Sequence, residues 1–194
     1  MTNKTSSTFE ALYDQINSML SKGRVILAID GKSASGKTTL SKQLQTVYDC
    51  NVFHMDDFFL RPTQRTPARL AEPGGNVDRE RFLEEVLLPL SRKLPVDYRP
   101  FDCSTFTLHP AVTFLPTQLT VIEGAYSMHP TLSGYYDFSV FLDIPAPLQK
   151  KRIEKRNSPD KASRFFSTWI PMENLYFKEL QVMQRCDMII NITE

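Results

Sequence analysis

Gly31, Gly36, Lys37 and Thr38 stand in the run GKSASGKT, a glycine, four residues, then glycine, lysine and threonine. Glycines let the backbone turn tightly enough for successive N–H groups to face inward, which makes a concave anion site. A helix starting at Lys37 adds its positive end. The Lys37 ammonium then reaches the outer phosphates of a triphosphate as a point charge, and the Thr38 hydroxyl is a hard oxygen ligand suited to Mg²⁺. Gly31, Lys32, Ser33, Ala34, Ser35, Gly36, Lys37, Thr38 and Thr39 are therefore the expected nucleotide-binding residues, in a phosphate-binding loop (P-loop). ATP and Mg²⁺ are the expected cofactors.

Three further groups of residues say what such a loop is for. His54-Met55-Asp56-Asp57-Phe58-Phe59 follows a short apolar run, and a carboxylate at a strand end faces the ligand crevice of a parallel sheet. Phosphoryl transfer to an alcohol gains from a carboxylate that takes the hydroxyl proton, and Asp56 is the candidate base. Glu123 ends LTVIE, where a buried carboxylate is costly without a partner; Mg²⁺ held through water is a fitting one. In QKKRIEKRNSPDKASR, Arg152, Arg156 and Arg164 carry forked donors that match phosphate oxygens. No guanine-reading segment of the NKxD type and no DxxG switch follows, which argues against a GTPase. His54, His109 and His129 show no metal spacing and are expected to be structural.

The elements that must position these groups can be read from periodicity. Phe9, Leu12, Tyr13, Ile16, Met19 and Leu20 recur at helical spacing and Gly23 stops them, so a leading amphipathic helix is expected. Residues 24–30 (RVILAID) read as a strand buried on both faces that runs straight into the glycine loop. A helix over 38–48 and strands over 51–55, 119–123, 138–144 and 188–192 complete an alternating pattern, hence βαβ units and a parallel sheet. Asp78 is placed to cap the helix that carries Phe82, Val86 and Leu87. Residues 60–76 hold three prolines, two glycines and three arginines without periodicity and are expected to be a long surface loop. Residues 95–116 are similarly irregular, with patches that could form a small hairpin. Phe165, Phe166 and Trp169 are read as packing groups.

The order of these features resembles the uridine kinase family and its relatives, the phosphoribulokinases and bacterial pantothenate kinases. The resemblance rests on the P-loop, the Asp-x-Phe-aromatic segment at 56–59, Asn76-Val77-Asp78 opening a helix, Phe101-Asp102, and Glu123-Gly124. It spans nearly the whole chain. It implies one α/β domain over 1–194 with the P-loop NTPase three-layer fold, a mostly five-stranded parallel sheet and a helical lid at about 150–168. It also implies acceptor-site insertions at about 60–76 and 95–116. By the same resemblance Asp56 lies by the acceptor hydroxyl, Asp78 binds sugar hydroxyls, and Phe59, Phe101 and Asp102 line the acceptor. Glu123 organises Mg²⁺ through water, and Arg152, Arg156 and Arg164 cover the phosphates. Uridine kinases carry Tyr where this chain has Phe59, and a His where it reads CSTFT. The resemblance thus implies transfer of the γ-phosphoryl of ATP to a hydroxyl of a small metabolite, a nucleoside first. A pantothenate-type or phosphoribulo-type kinase, or a nucleotide-binding regulatory module with little catalysis, is the alternative.

Composition sets the boundaries. With 23 basic and 22 acidic side chains in 194 residues, no global charge draws the chain to nucleic acid or a membrane surface. Cys50, Cys103 and Cys186 are too widely spaced for a CxxC pair and read as buried, free thiols in a reducing compartment. The first eight residues lack an apolar signal core, and no apolar run approaches the ~20 residues of a membrane span. A cytoplasmic protein whose partner is a small-molecule acceptor is expected; a homo-oligomer is compatible with the sequence.

Overall fold

The computed structural model describes residues 4–193, and the side chains of 9–193. Helix α1 (Lys4–Leu20) leads into β1 (Val25–Gly31), α2 (Lys37–Val47), β2 (Cys50–His54) and α3 (Pro67–Ala71). A continuous helical stretch follows as α4 (Arg79–Phe82), a π turn (Leu83–Leu87) and α5 (Leu88–Ser91). Two nested antiparallel ladders come next, β3 (Val96–Tyr98) with β6 (Val112–Phe114) outside β4 (Phe101–Asp102) with β5 (Thr107–Leu108). Strand β7 (Leu119–Glu123), α6 (Pro130–Ser133) and β8 (Phe138–Asp143) precede α7 (Ala146–Arg156) and α8 (Pro159–Arg164). A second π turn (Phe165–Trp169) then joins α9 (Ile170–Glu179), α10 (Val182–Arg185) and β9 (Met188–Asn191).

Among the described residues, five strands form one parallel sheet in the order β2-β7-β1-β8-β9. This is the α/β architecture of P-loop NTPases. The apolar runs sit in the middle because they have no polar face to give to water, and β7 is buried along its whole length. Side chains alternate between the two faces. On one face Leu27, Ile29, Val121, Val140 and Leu142 meet Leu12 and Ile16 of α1 and Leu40 and Leu44 of α2. On the other, Ala28, Phe53, Ile122 and Phe141 meet Phe82, Val86 and Leu90 of the 79–91 stretch and Tyr176 of α9. The leading helix and all five expected strands are thus present, with ends shifted by a residue or so.

The two π turns share a cause visible in the sequence. Each immediately precedes a dipeptide ending in proline, Leu88-Pro89 and Ile170-Pro171. Proline lacks the N–H for the helical ladder and its ring crowds the carbonyl four residues back, so widening the preceding turn relieves both.

Other details depart from expectation. Segment 60–76 is not structureless: it holds a 3₁₀ turn at Pro62–Gln64 and α3, each with proline at its start, and the Thr66 hydroxyl caps α3 by accepting from Arg69 N at 3.1 Å. The expected small hairpin at 95–116 is two nested ladders. All three cysteines are free, but Cys103 is exposed and Cys50 and Cys186 are only half-buried. Cys103 falls in the turn that caps the inner ladder, where no core is in reach. No helix among the described residues is long and apolar enough to cross a membrane.

His129 shows how the fold selects a charge state. It sits at the start of α6, where its Nδ1 accepts from Thr131 N at 3.3 Å. Burial, with Arg79 and Arg69 near, pulls the imidazole down from 6.5 to about 4. The unfolded chain binds a proton near pH 6.5 that the folded chain refuses, so this stability is full above about 6.5 and falls as pH drops towards 4. His129→Asn keeps a capping oxygen without the titration. Denaturation of both proteins at pH 7 and pH 4 should show wild type losing up to about 3 kcal/mol more than the variant across that interval.

Candidate active site

The phosphate loop is held by strand ends on one side and a helix on the other. Gly31 ends β1 at φ +138°, and a Cβ there would lie 2.3 Å from the Leu142 carbonyl oxygen of β8, so only glycine fits. Ala34 (φ 62°) and Gly36 (φ 104°) then turn the chain into α2. Helix α2 begins with no side-chain cap, which leaves its first N–H groups directed at whatever lies in front of it. The Lys37 ammonium bonds the Gly31 carbonyl oxygen at 2.7 Å and that of Lys32 at 3.0 Å, which keeps it at the loop's mouth. Ser35 Oγ is buried there without a hydrogen-bond partner.

A cavity of about 1030 Å³ opens on this loop. Ser33 to Thr39, Asp56, Glu123, Arg152 and Arg156 all line it. Lys32 points elsewhere, its ammonium pairing with Asp143 at 2.5 Å.

The acidic residues divide the work. In the β2–β7 ladder His54 and Glu123 are direct partners, so their side chains emerge together at the C-terminal edge of the sheet. Glu123 Oε1 lies 2.5 Å from His54 Nδ1 and accepts from Thr38 Oγ1 at 3.1 Å. Asp56 and Asp57 sit in a single 3₁₀ turn, Met55–Phe58, directly after β2. Asp57 Oδ2 accepts from the Tyr98 hydroxyl at 2.5 Å, whereas Asp56 has no hydrogen-bond partner among the described residues and opens to the cavity. The protein that encloses Asp56 on its other sides raises its carboxyl above the usual range; Lys37 opposes this and Glu123 and Asp57 add to it. Glu123 holds His54 above its ordinary pKa, against burial.

The residues present fit the expected cofactors. Thr38 and Glu123 give two neighbouring oxygens, and Mg²⁺ takes one or two protein oxygens with phosphates and water making up the rest. The uncapped α2, the Lys37 ammonium and the unpartnered Ser35 hydroxyl suit a polyphosphate. Among the described residues no cluster of three His, Cys, Asp or Glu could hold a metal by itself.

The lid arginines separate. Arg152, on α7, donates to the Ala34 carbonyl oxygen at 3.1 Å, and Gln149 donates to that of Ser33 at 3.0 Å, so α7 rests on the loop. Arg156 reaches the cavity with its guanidinium 5.6 Å from the Phe165 ring centre. Arg164 ends α8 with an exposed side chain and is not brought to the cavity. Of the residues expected at the acceptor, Asp56 lines the cavity, whereas Phe59, Asp78, Phe101 and Asp102 do not. Asp78 is buried, caps α4 by accepting from Arg81 N at 3.2 Å, and accepts from Gln64 Nε2 at 2.8 Å. It opens on a smaller cavity of about 450 Å³ that Gln64, Arg69 and Glu80 also line. Phe59 bridges to Val77 and Phe101 is buried in β4. Asp102 accepts from Ser104 and Thr105 in its own turn, and the Ser104 hydroxyl first among these lowers its carboxyl to about 2.

Sequence reasoning missed four site residues. Glu173 and Tyr176 lie one turn apart on α9. Glu173, buried, accepts from Ser33 N at 2.9 Å and from the Ser33 hydroxyl. Tyr176 donates at 2.8 Å to Asp30, which is fully buried and also accepts from Gly31 N at 2.6 Å and Met128 N at 2.9 Å. Burial raises both carboxyls, and these bonds oppose it. His54 is the fourth, read from sequence as structural. The available signals were a carboxylate inside an otherwise apolar strand (Asp30) and one on the α9 face shared with Tyr176.

No protein-family model matches the sequence, and no curated protein is found similar to it. Solved structures are similar in fold. A possible uridine kinase from Bacillus stearothermophilus is 23% identical, with TM-score 0.65, and the match covers 93% of this chain and 99% of that one. A proposed fructose transport system kinase from Silicibacter sp. is 21% identical at TM-score 0.67, covering 91% and 97%. A D-glycerate 3-kinase from Cryptococcus neoformans is 13% identical at TM-score 0.70, covering 94% and 95%. At such identities the likeness shows a shared fold, that of P-loop kinases.

The Asp30 site gives a direct check. Tyr176→Phe removes one of three donors from a buried carboxyl while leaving the ring. Urea denaturation should report a loss of about 1–3 kcal/mol with an unchanged far-ultraviolet spectrum; an unaltered midpoint contradicts the role given to this bond.

Proposed function

We propose that this chain is an ATP- and Mg²⁺-dependent kinase that transfers the γ-phosphoryl group to a hydroxyl of a small metabolite, with a nucleoside as the first candidate. The observation that carries the reading is Asp56, an unpartnered carboxylate with a raised pKa facing the same cavity as the phosphate loop. A nucleotide switch needs no such group. A transferase to an alcohol does.

The residues take these parts. Loop N–H groups from Ser33 to Thr39 and the start of α2 hold the triphosphate. Thr38, and Glu123 through water, would hold Mg²⁺, which would neutralise charge on the phosphates. Asp56 accepts the proton of the acceptor hydroxyl as its oxygen forms the new bond to the γ-phosphorus; the bond from that phosphorus to the bridging oxygen breaks, and ADP leaves. Lys37, Arg152 and Arg156 offset the charge that builds on the transferred group.

The acceptor binds on the Asp56 side, under segments 60–76 and 95–116. The resemblance to a possible uridine kinase supports a nucleoside, and Asp78 joins the acceptor site only if Gln64 gives way. The free thiols and a formal net charge of only +1 support a cytoplasmic enzyme of small molecules, without nucleic acid or membrane as partner.

ADP release in the presence of ATP and Mg²⁺, measured against nucleosides, pantothenate, sugars and ribulose 5-phosphate with a no-acceptor control, should rise with one acceptor only. With that acceptor, Asp56→Asn should lower kcat about 10²–10⁴-fold while nucleotide affinity holds or tightens. Full turnover by the variant contradicts the base assignment. Lys37→Ala should lose nucleotide affinity in direct titration, and wild-type affinity would remove the phosphate-loop claim itself.

A further inference from the structure

The cavity on the phosphate loop is lined not only by the loop, Asp56 and Glu123 but also by the helix that precedes β1, through Phe9, Glu10 and Tyr13 of α1. Phe165 of the π turn and Arg156 of α7 line the same cavity. Aromatic rings and a guanidinium in one cavity with a phosphate loop are chemistry for the flat faces of a base.

The α1 wall is fixed before any ligand arrives. Leu12 and Ile16 are buried against the sheet, Tyr13 stacks on Tyr48 with ring centres 6.2 Å apart, and the Tyr48 hydroxyl donates to Asn17 Oδ1 at 2.9 Å. The lid residues are held too: Phe165 meets Trp169 edge-to-face with ring centres 4.5 Å apart, and the Arg156 guanidinium stands 5.6 Å from the Phe165 ring centre.

We infer that α1 is part of the nucleotide site: the base of the nucleotide lies between Phe9 of α1 and the Phe165–Arg156 face of the lid, and Phe9 helps set affinity for the nucleoside half of the ligand. This rests on the nucleotide-binding reading above and assigns a ligand contact to a helix that precedes the phosphate loop.

The test compares a ligand with a base and one without. ADP and inorganic pyrophosphate, each with Mg²⁺, are titrated into the whole protein by calorimetry, with emission of Trp169, the single tryptophan of the chain, as a second signal. Phe9→Leu keeps apolar volume in the α1 packing and removes the ring; Phe9→Ala removes both. Both variants should weaken ADP, Phe9→Ala about ten-fold or more, and leave pyrophosphate unchanged. ADP should alter Trp169 emission and pyrophosphate should not. Wild-type ADP affinity in both variants overturns the inference, and so does equal weakening of ADP and pyrophosphate, which would make α1 a support of the loop alone. If wild-type protein binds neither ligand, the nucleotide reading fails first; if it binds both and the variants match it, only the inference fails.

Discussion

Backbone N–H groups that converge on one point repel each other electrostatically and carry a conformational cost, so a phosphate loop must be held open by the structure around it. Here the loop places Gly31, Ala34 and Gly36 at positive φ within six residues, and α2 starts without a side-chain cap. The restraint comes from outside the loop. Asp30 ties its first N–H to the loop after β7 and to Tyr176, while Glu173, a turn earlier on α9, takes both the N–H and the hydroxyl of Ser33. Two carboxylates are thereby buried: for Asp30 the hydrogen bonds from Met128, Tyr176 and Gly31 offset the burial with a smaller pull from Lys37, and for Glu173 Lys37 leads and the Ser33 bonds follow.

The same restraint links loop, lid and sheet. Helix α9 follows the lid directly, through a π turn that proline forces, so the segment gripping Ser33 and Asp30 is continuous with the segment that carries Arg152 and Arg156. Helix α7 meanwhile bonds the carbonyls of Ser33 and Ala34. The loop is thus held on its N–H side by α9 and on its carbonyl side by α7. On the sheet edge, Glu123 is shared by His54 and Thr38, which aligns the metal-side oxygens, and Asp57 is engaged by Tyr98. Of the Asp56–Asp57 pair, Asp56 is the one left to face the cavity. A turn of four residues therefore separates a positioned structural acid from a free one.

What the sequence made legible was local. The strand into GKSASGKT, the alternation of strands and helices, and Asp56 at a strand end all follow from spacing within a dozen residues, and each sits where that spacing put it. The unforeseen contacts cross the chain: Glu173 and Ser33 are 140 residues apart, Tyr176 and Asp30 are 146 apart, and no periodicity encodes such pairs. Asp78 caps the helix that its spacing predicted, while Phe59, Phe101 and Asp102, placed by resemblance, lie in a backbone bridge, a buried strand and a turn, and Arg164 lies at an exposed helix end. Segments 60–76 and 95–116, proposed above to cover the acceptor, are the least legible part, because turn chemistry at Pro62, Pro67 and Asp102 decides the backbone and no apolar period constrains it.

The central claim is that the cavity moves a phosphoryl group onto an alcohol rather than onto water. The most direct measurement incubates the protein with ATP labelled in its γ-phosphoryl group, Mg²⁺ and a small-molecule metabolite extract, and identifies by ³¹P NMR and mass spectrometry where the label goes. The account predicts label in a phosphate monoester that is absent without enzyme. Label found only in inorganic phosphate, at a rate the extract does not change, would contradict it.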